Sequence, residues 1–262
     1  MDTKIQINNR LTTAFSETQK PLLNIYFTAG YPALNDTMPT LRALQKAGVD
    51  MVEIGMPFSD PLADGPVIQR SSEIALENGM TIKGLFEQIK DMRKEIHIPV
   101  LLMGYINPVM RYGIEKFCED AAAVGVDGVI IPDLPVREYM EDYEEIFQRN
   151  NLSNIFLVTP HTSPERLKLI DDHATGFIYA VSTDSTTGNT KDIRQQEEYF
   201  ARLKASGLKN PIMIGFNVKD RETFAFATNY ANGAIIGSAF VKAVTGSKNL
   251  EKDIEVFIKS IR

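Results

Sequence analysis

The sequence predicts a closed (β/α)8 barrel preceded by an extra N-terminal helix. Three observations carry the prediction. Eight short apolar runs rich in β-branched and aromatic residues recur along the 262 residues. They lie about 30 residues apart, the length of a strand–helix–strand unit. The runs are continuous rather than alternating, as strands covered on both faces are. Alternation of strands and helices gives a parallel sheet with right-handed crossovers, and eight such units in this length close a barrel. An open doubly wound sheet shares the alternation, but its G-x-G-x-x-G fingerprint after the first strand is missing.

The strand runs are 22–28, 51–55, 100–105, 128–132, 154–159, 176–181, 212–216 and 234–237. The segments between them have helical apolar spacing. In 37–47, Met38, Leu41, Leu44 and Ala47 share one face. The others are 85–92, 114–123, 139–147, 166–170 and 193–205, and 250–261 closes the chain with Ile254, Phe257 and Ile258. No Walker A sequence and no low-complexity linker interrupts the series, so 1–262 reads as a single barrel domain.

Composition bounds the function. Lys and Arg number 28 against 34 Asp and Glu, a net charge of −6, which argues against a general nucleic-acid binder. The hydrophobic fraction of 44% is that of an ordinary globular chain. One cysteine, Cys118, makes neither an internal disulfide nor a cysteine-based zinc site, and Trp is absent. Residues 1–17 lack the apolar centre of a signal peptide. The apolar stretch 98–106 is of strand length, well short of the roughly 18 residues of a membrane span. The expectation is a cytoplasmic protein.

In a barrel, chemistry sits on the loops that follow the strands. Glu53 lies inside the second run. With Val52 and Ile54 facing the helices, it faces the barrel interior. A buried carboxyl either finds a cationic partner or stays protonated near neutrality, as a group that gives and takes protons must. No Lys or Arg lies in any of the eight runs. The loop beyond holds Asp60 and Asp64. Each suits a turn or helix cap, and a stiff loop at a barrel mouth also holds an acid against a substrate. Glu53 enclosed and Asp64 on a wetter, ionised loop would divide acid–base and charge-stabilising roles.

The sixth strand is followed by 182–188, a hydroxyl-rich segment ending in Gly188. The seventh is followed by Gly215-Phe216-Asn217 and the eighth by Gly237-Ser238 opening a helix. Each is ordinary turn chemistry taken singly. Together, at the corner where barrels hold phosphates, they suit a phosphate monoester. The histidines His97, His161 and His173 have no metal-ligand spacing and read as surface or packing residues, so no metal is expected.

The segment Glu53-Ile54-Gly55-Met56-Pro57-Phe58-Ser59-Asp60-Pro61-Leu62-Ala63-Asp64-Gly65-Pro66 resembles the signature of the tryptophan synthase alpha chain family. So do Phe27-Thr28-Ala29-Gly30-Tyr31-Pro32, Tyr105-Ile106-Asn107-Pro108, Pro132-Asp133-Leu134-Pro135 and Gly233-Ala234-Ile235-Ile236-Gly237-Ser238-Ala239. The likeness spans nearly the whole chain. It implies a cofactor-free (β/α)8 barrel that splits indole-3-glycerol phosphate into indole and glyceraldehyde 3-phosphate.

Further roles are implied by the same resemblance. Glu53 is the general acid–base, and Asp64 accepts the indole N–H and stabilises developing positive charge. Tyr26, Tyr105, Tyr179 and Phe216 contact the substrate, and Thr187 orients Asp64 on loop closure. Gly188, Phe216, Asn217, Gly237 and Ser238 hold the phosphate. A PLP-dependent beta chain, joined in an α2β2 complex, docks around Asp60, Asn107, Pro108 and the 132–135 loop with Asp133, and receives indole internally. A mainly regulatory, non-catalytic partner of the beta chain is the alternative, and retention of both carboxylates argues against it. The sequence departs from the family pattern at Thr183, Ser185, Asn217 and Lys219. Asn217 replaces a common glycine but tolerates a left-handed backbone, and Lys219 adds a charge near the phosphate corner.

Overall fold

The structure is a computed structural model that describes residues 7–182 and 192–262. Eight parallel strands close into a barrel in sequence order. They are β1 (Leu22–Thr28), β2 (Met51–Gly55), β3 (Val100–Met103), β4 (Gly128–Ile130), β5 (Ser153–Val158), β6 (Ile178–Val181), β7 (Ile212–Gly215) and β8 (Gly233–Ile236). Every strand residue but Leu157 is buried. That explains the continuous apolar runs, because one face lines the barrel and the other meets helices. β8 pairs back onto β1 with Leu22 beside Gly233, where an added Cβ would meet the Leu22 carbonyl oxygen at 2.3 Å. The seam therefore closes on a residue without a side chain.

The helices are α1 (Arg10–Glu17), α2 (Thr37–Lys46), α3 (Pro66–Glu77), α4 (Ile82–Ile89), α5 (Ile106–Tyr112), α6 (Ile114–Ala123), α7 (Val136–Glu138), α8 (Glu144–Arg149), α9 (Pro164–His173), α10 (Glu197–Ala205), α11 (Arg221–Thr228), α12 (Ser238–Val244) and α13 (Leu250–Ile261). α1 covers the N-terminal end of the barrel. Its cap Asn9 donates to the Asp127 carbonyl at 2.7 Å, fully buried Leu11 packs at Gly176, and Phe15 meets Phe177 at 5.9 Å. Asp127, at the foot of β4, is 1% exposed and pairs with Arg93 at 2.6 Å and Arg10 at 3.2 Å. α13 packs on α2, and the terminal Arg262 reaches Asp50 and the Pro21 carbonyl.

Several expected boundaries move. The third, fourth and seventh strands end at Met103, Ile130 and Gly215, so Tyr105, Pro132 and Phe216 belong to the mouth rather than to the sheet. The 85–92 helix lies at 82–89, where the Thr81 side chain accepts from the Gly84 N–H and fixes its start. The 139–147 helix contains a π-turn at Tyr139–Tyr143 between α7 and α8. Helices α3, α5 and α11 emerge where the sequence shows loop-like prolines or short polar stretches. His173 ends α9 and bonds Glu144 at 3.0 Å, a packing role as expected. Among the described residues no helix is long and apolar enough to cross a membrane.

Candidate active site

Glu53 is fully buried in β2. It has no cationic partner among the described residues. Its single hydrogen bond comes from another fully buried polar side chain, Asn24 of β1, whose Nδ2 donates to Oε1 at 2.6 Å. The other carboxyl oxygen, Oε2, has no partner among the described residues. Burial pushes the Glu53 pKa up to about 8, and the Asn24 hydrogen bond opposes the shift. At neutral pH Glu53 is therefore mostly a carboxylic acid with a proton to give.

Two tyrosines stand over strand-end glycines. Tyr26 and Glu53 are register partners, and a Cβ on Gly55 would lie 2.0 Å from the Tyr26 hydroxyl. A Cβ on Gly215 would lie 2.2 Å from the Tyr179 hydroxyl. Gly55 and Gly215 thus give up side chains so that two rings can enter the barrel top. Burial holds both phenols well above their usual range, reinforced by the nearby carboxyls of Asp64 and Glu53, so both stay neutral donors.

Asp64 is half-buried. Its Oδ2 accepts the Tyr105 hydroxyl at 3.0 Å, while the same phenolic oxygen accepts the Ala63 N–H at 2.9 Å. Burial raises its pKa to about 6, against the Tyr105 hydrogen bond. The loop is less wet than the sequence suggests, yet Asp64 remains largely ionised at pH 7. It does not cap the next helix, because Gly65 is the N-cap of α3 and makes no side-chain cap bond. Tyr26, Met56, Phe58, Asp64, Met103 and Tyr105 are among the walls of a small pocket at the mouth. Glu53, three residues before Met56 in the chain, is not among the residues lining it.

The phosphate-corner residues are only partly described. Thr187 and Gly188 lie outside the described residues, as do Thr183 and Ser185. Phe216 (φ 63°) and Asn217 (φ 58°) are consecutive left-handed residues. A bulky aromatic in that region costs about 1–3 kcal/mol, and such strain concentrates at functional turns. The Ser182 hydroxyl holds the turn by donating to the Phe216 carbonyl at 2.7 Å, and the Phe216 ring stands edge-on to Tyr179 at 6.1 Å. The buried Asn217 Nδ2 has no partner among the described residues. Gly237 and Ser238 open α12 as expected. Lys219 is exposed, and its backbone N–H is taken by Thr223 at the start of α11.

At the rim, Asp60 is exposed and accepts the Ser59 hydroxyl. Asn107 and Pro108 lie in the first turn of α5 rather than in a loop. Exposed Asp133 fixes that helix start by accepting the Ile106 N–H at 3.0 Å. Phe58 packs on Tyr105 at 5.4 Å, which links the loops after β2 and β3, and the Asp133 bond to Ile106 adds the loop after β4 to the same surface. Leu62 is 82% exposed and Met110 54% exposed on these segments, a feature that sequence reading missed. Among the described residues no cluster of three or more His, Cys, Asp or Glu could hold a metal ion.

Comparison with known proteins agrees over almost the full length. The profile of the family described as tryptophan synthase alpha chain matches residues 13–261. The tryptophan synthase alpha chain of Flavobacterium psychrophilum is 52% identical over 254 residues, covering 97% of this chain and 99% of that one. That of Parabacteroides distasonis is 48% identical over 255 residues, with coverage of 97% and 99%. Among solved structures, tryptophan synthase subunit alpha from Legionella pneumophila superposes with a TM-score of 0.87 at 33% identity, covering 97% of each chain. By sequence and by fold, the chain belongs to the tryptophan synthase alpha chain family.

Proposed function

We propose that this chain cleaves indole-3-glycerol phosphate to indole and glyceraldehyde 3-phosphate, with Glu53 and Asp64 as its catalytic residues. The observation that carries the reading is a fully buried carboxyl with no cation among the described residues, one open oxygen and a pKa near 8, with a second carboxyl near 6 on the loop that follows the same strand. Protonated Glu53 gives its proton to ring carbon 3 of the indole, leaving positive charge on the ring nitrogen. Ionised Asp64 accepts the N–H and stabilises that charge. The Glu53 carboxylate then removes the proton of the side-chain hydroxyl next to the ring. The O–H electrons form the aldehyde, and the electrons of the breaking carbon–carbon bond return to the ring. Glu53 ends protonated, ready for another turnover.

Tyr26, Tyr105, Tyr179 and Phe216 shape the aromatic binding site. The left-handed pair Phe216 and Asn217, with Gly237 and Ser238 at the start of α12, supports a phosphate seat that Gly188 completes, and Thr187 orients Asp64. The chain needs no cofactor of its own in this scheme. Its partner is a PLP-dependent beta chain in an α2β2 complex, docked on the rim of Asp60, Asn107, Pro108 and Asp133. A single buried thiol, Cys118, suits the reducing cytoplasm. The test is indole release from indole-3-glycerol phosphate by the purified chain, with and without a cognate beta chain. Release that the beta chain accelerates is expected. No release under either condition would replace this reading with a purely regulatory one.

A further inference from the structure

Asn24 stands out because nothing in the reading of the active site accounts for it. It interrupts the apolar run of β1, is fully buried, and spends its one side-chain hydrogen bond on Glu53. We infer that Asn24 is a positioning residue that fixes which oxygen of Glu53 carries the transferable proton. The inference rests on Glu53 being the proton donor.

The geometry supports it as follows. A carboxylic acid has one good acceptor, its carbonyl oxygen, and one O–H. The Asn24 amide donates to Oε1 at 2.6 Å, which makes Oε1 the carbonyl and leaves the proton on Oε2. Oε2 has no partner among the described residues, so its proton is free for a reactant. The same N–H donates to the carboxylate after the proton has left, where a charge-assisted bond is stronger. The contact therefore serves both halves of the reaction. An amide and an acid can also close into a ring of two hydrogen bonds, which would tie up the proton. Here the Asn24 oxygen has no partner among the described residues, Glu53 included, so that ring is not formed. Leaving two buried polar atoms open costs about 1–3 kcal/mol each, a cost with no structural return. The titratable groups close enough to feel the charge of Glu53 are Tyr26 from β1 and Tyr179 from β6, both neutral; among the described residues no cation shifts Glu53.

The experiment compares Asn24→Leu and Asn24→Ser with wild type, each paired with Glu53→Gln. The infrared carbonyl stretch of protonated Glu53 is isolated in the full chain as the difference from the matching Glu53→Gln protein. With its amide donor gone, the band moves to higher frequency in both variants. In turnover, kcat drops about tenfold to a hundredfold with KM little changed. The high-pH limb of activity moves to higher pH, because the Asn24 bond favours ionised Glu53. If the band and the limb both stay at their wild-type positions in the two variants, Asn24 only packs and the inference is overturned. Asn24→Ser keeps a small polar residue should Asn24→Leu fold poorly. A Glu53→Gln protein that still releases indole would instead overturn the reading of Glu53, while the infrared shift would still report the contact.

Discussion

Glu53→Gln separates the chemistry of the buried carboxyl from its energetics. The folded-state pKa near 8 lies above the ordinary value of 4.5, so between those pH values the folded chain binds more protons than the unfolded one. Glu53 therefore costs nothing electrostatically below pH 4.5, and stability falls as pH rises towards about 8. From 4.5 to pH 7 the difference amounts to about 3 kcal/mol, at roughly 1.4 kcal/mol per pH unit. Glutamine has the same shape and is neutral throughout. It keeps the Asn24 bond to its oxygen and lacks the slope. The variant should match wild type near pH 4.5 and exceed it by about 3 kcal/mol at pH 7, a rise in melting temperature of about 6 °C or more. Urea unfolding of both proteins at pH 5, 7 and 9 measures the difference, and an indole-release assay on the same samples should find the variant inactive. Stability curves that run parallel with pH would mean that Glu53 is ionised in the folded chain, and the acid–base argument would fail.

Four further outcomes follow from the same geometry. The pH profile of kcat/KM should rise through about 6 as Asp64 ionises and fall above about 8 as Glu53 loses its proton; Asp64→Asn should cut turnover by at least about a hundredfold, and an unchanged rate would remove Asp64 from the mechanism. Gly55→Ala should displace the Tyr26 ring, whose hydroxyl lies 2.0 Å from the new Cβ, at a cost of about 1–3 kcal/mol and a raised KM, and unaltered stability and kinetics would contradict the packing described. Asp127→Ala leaves the partly buried Arg93 without its carboxylate at the far end of the barrel; denaturation should show a loss of about 3 kcal/mol while turnover in the folded protein is unchanged, and a neutral effect on stability would show that the cluster is not structural.

The parts of the fold most legible in the sequence were those fixed by burial on both faces. All eight strand runs correspond to strands, because a parallel strand between barrel and helices needs apolar residues at every position. The ends were less legible. Tyr105 and Phe216 look like strand residues, yet one caps α5 and the other sits left-handed, since aromatic residues suit a packed mouth as well as a sheet. Helix α3 was hidden behind Gly65 and Pro66, which read as loop but serve as N-cap and first turn. Glu53 was visible as a charge inside an apolar run. Asn24 gave the same signal more quietly, since an amide in a strand has many structural uses.

The sequence alone determined the barrel, its order of strands, the family and the candidate pair Glu53 and Asp64, since periodicity and a long motif are properties of the chain. Tertiary structure decided which groups meet. Asn24 and Glu53 are 29 positions apart, and Tyr105 and Asp64 are 41 apart. Only the pairing of neighbouring strands, β1 with β2 and β2 with β3, brings each pair within hydrogen-bond reach, and only burial moves the two carboxyls to about 8 and about 6. Desolvation depends on what surrounds a group in space, so no neighbour in sequence can report it.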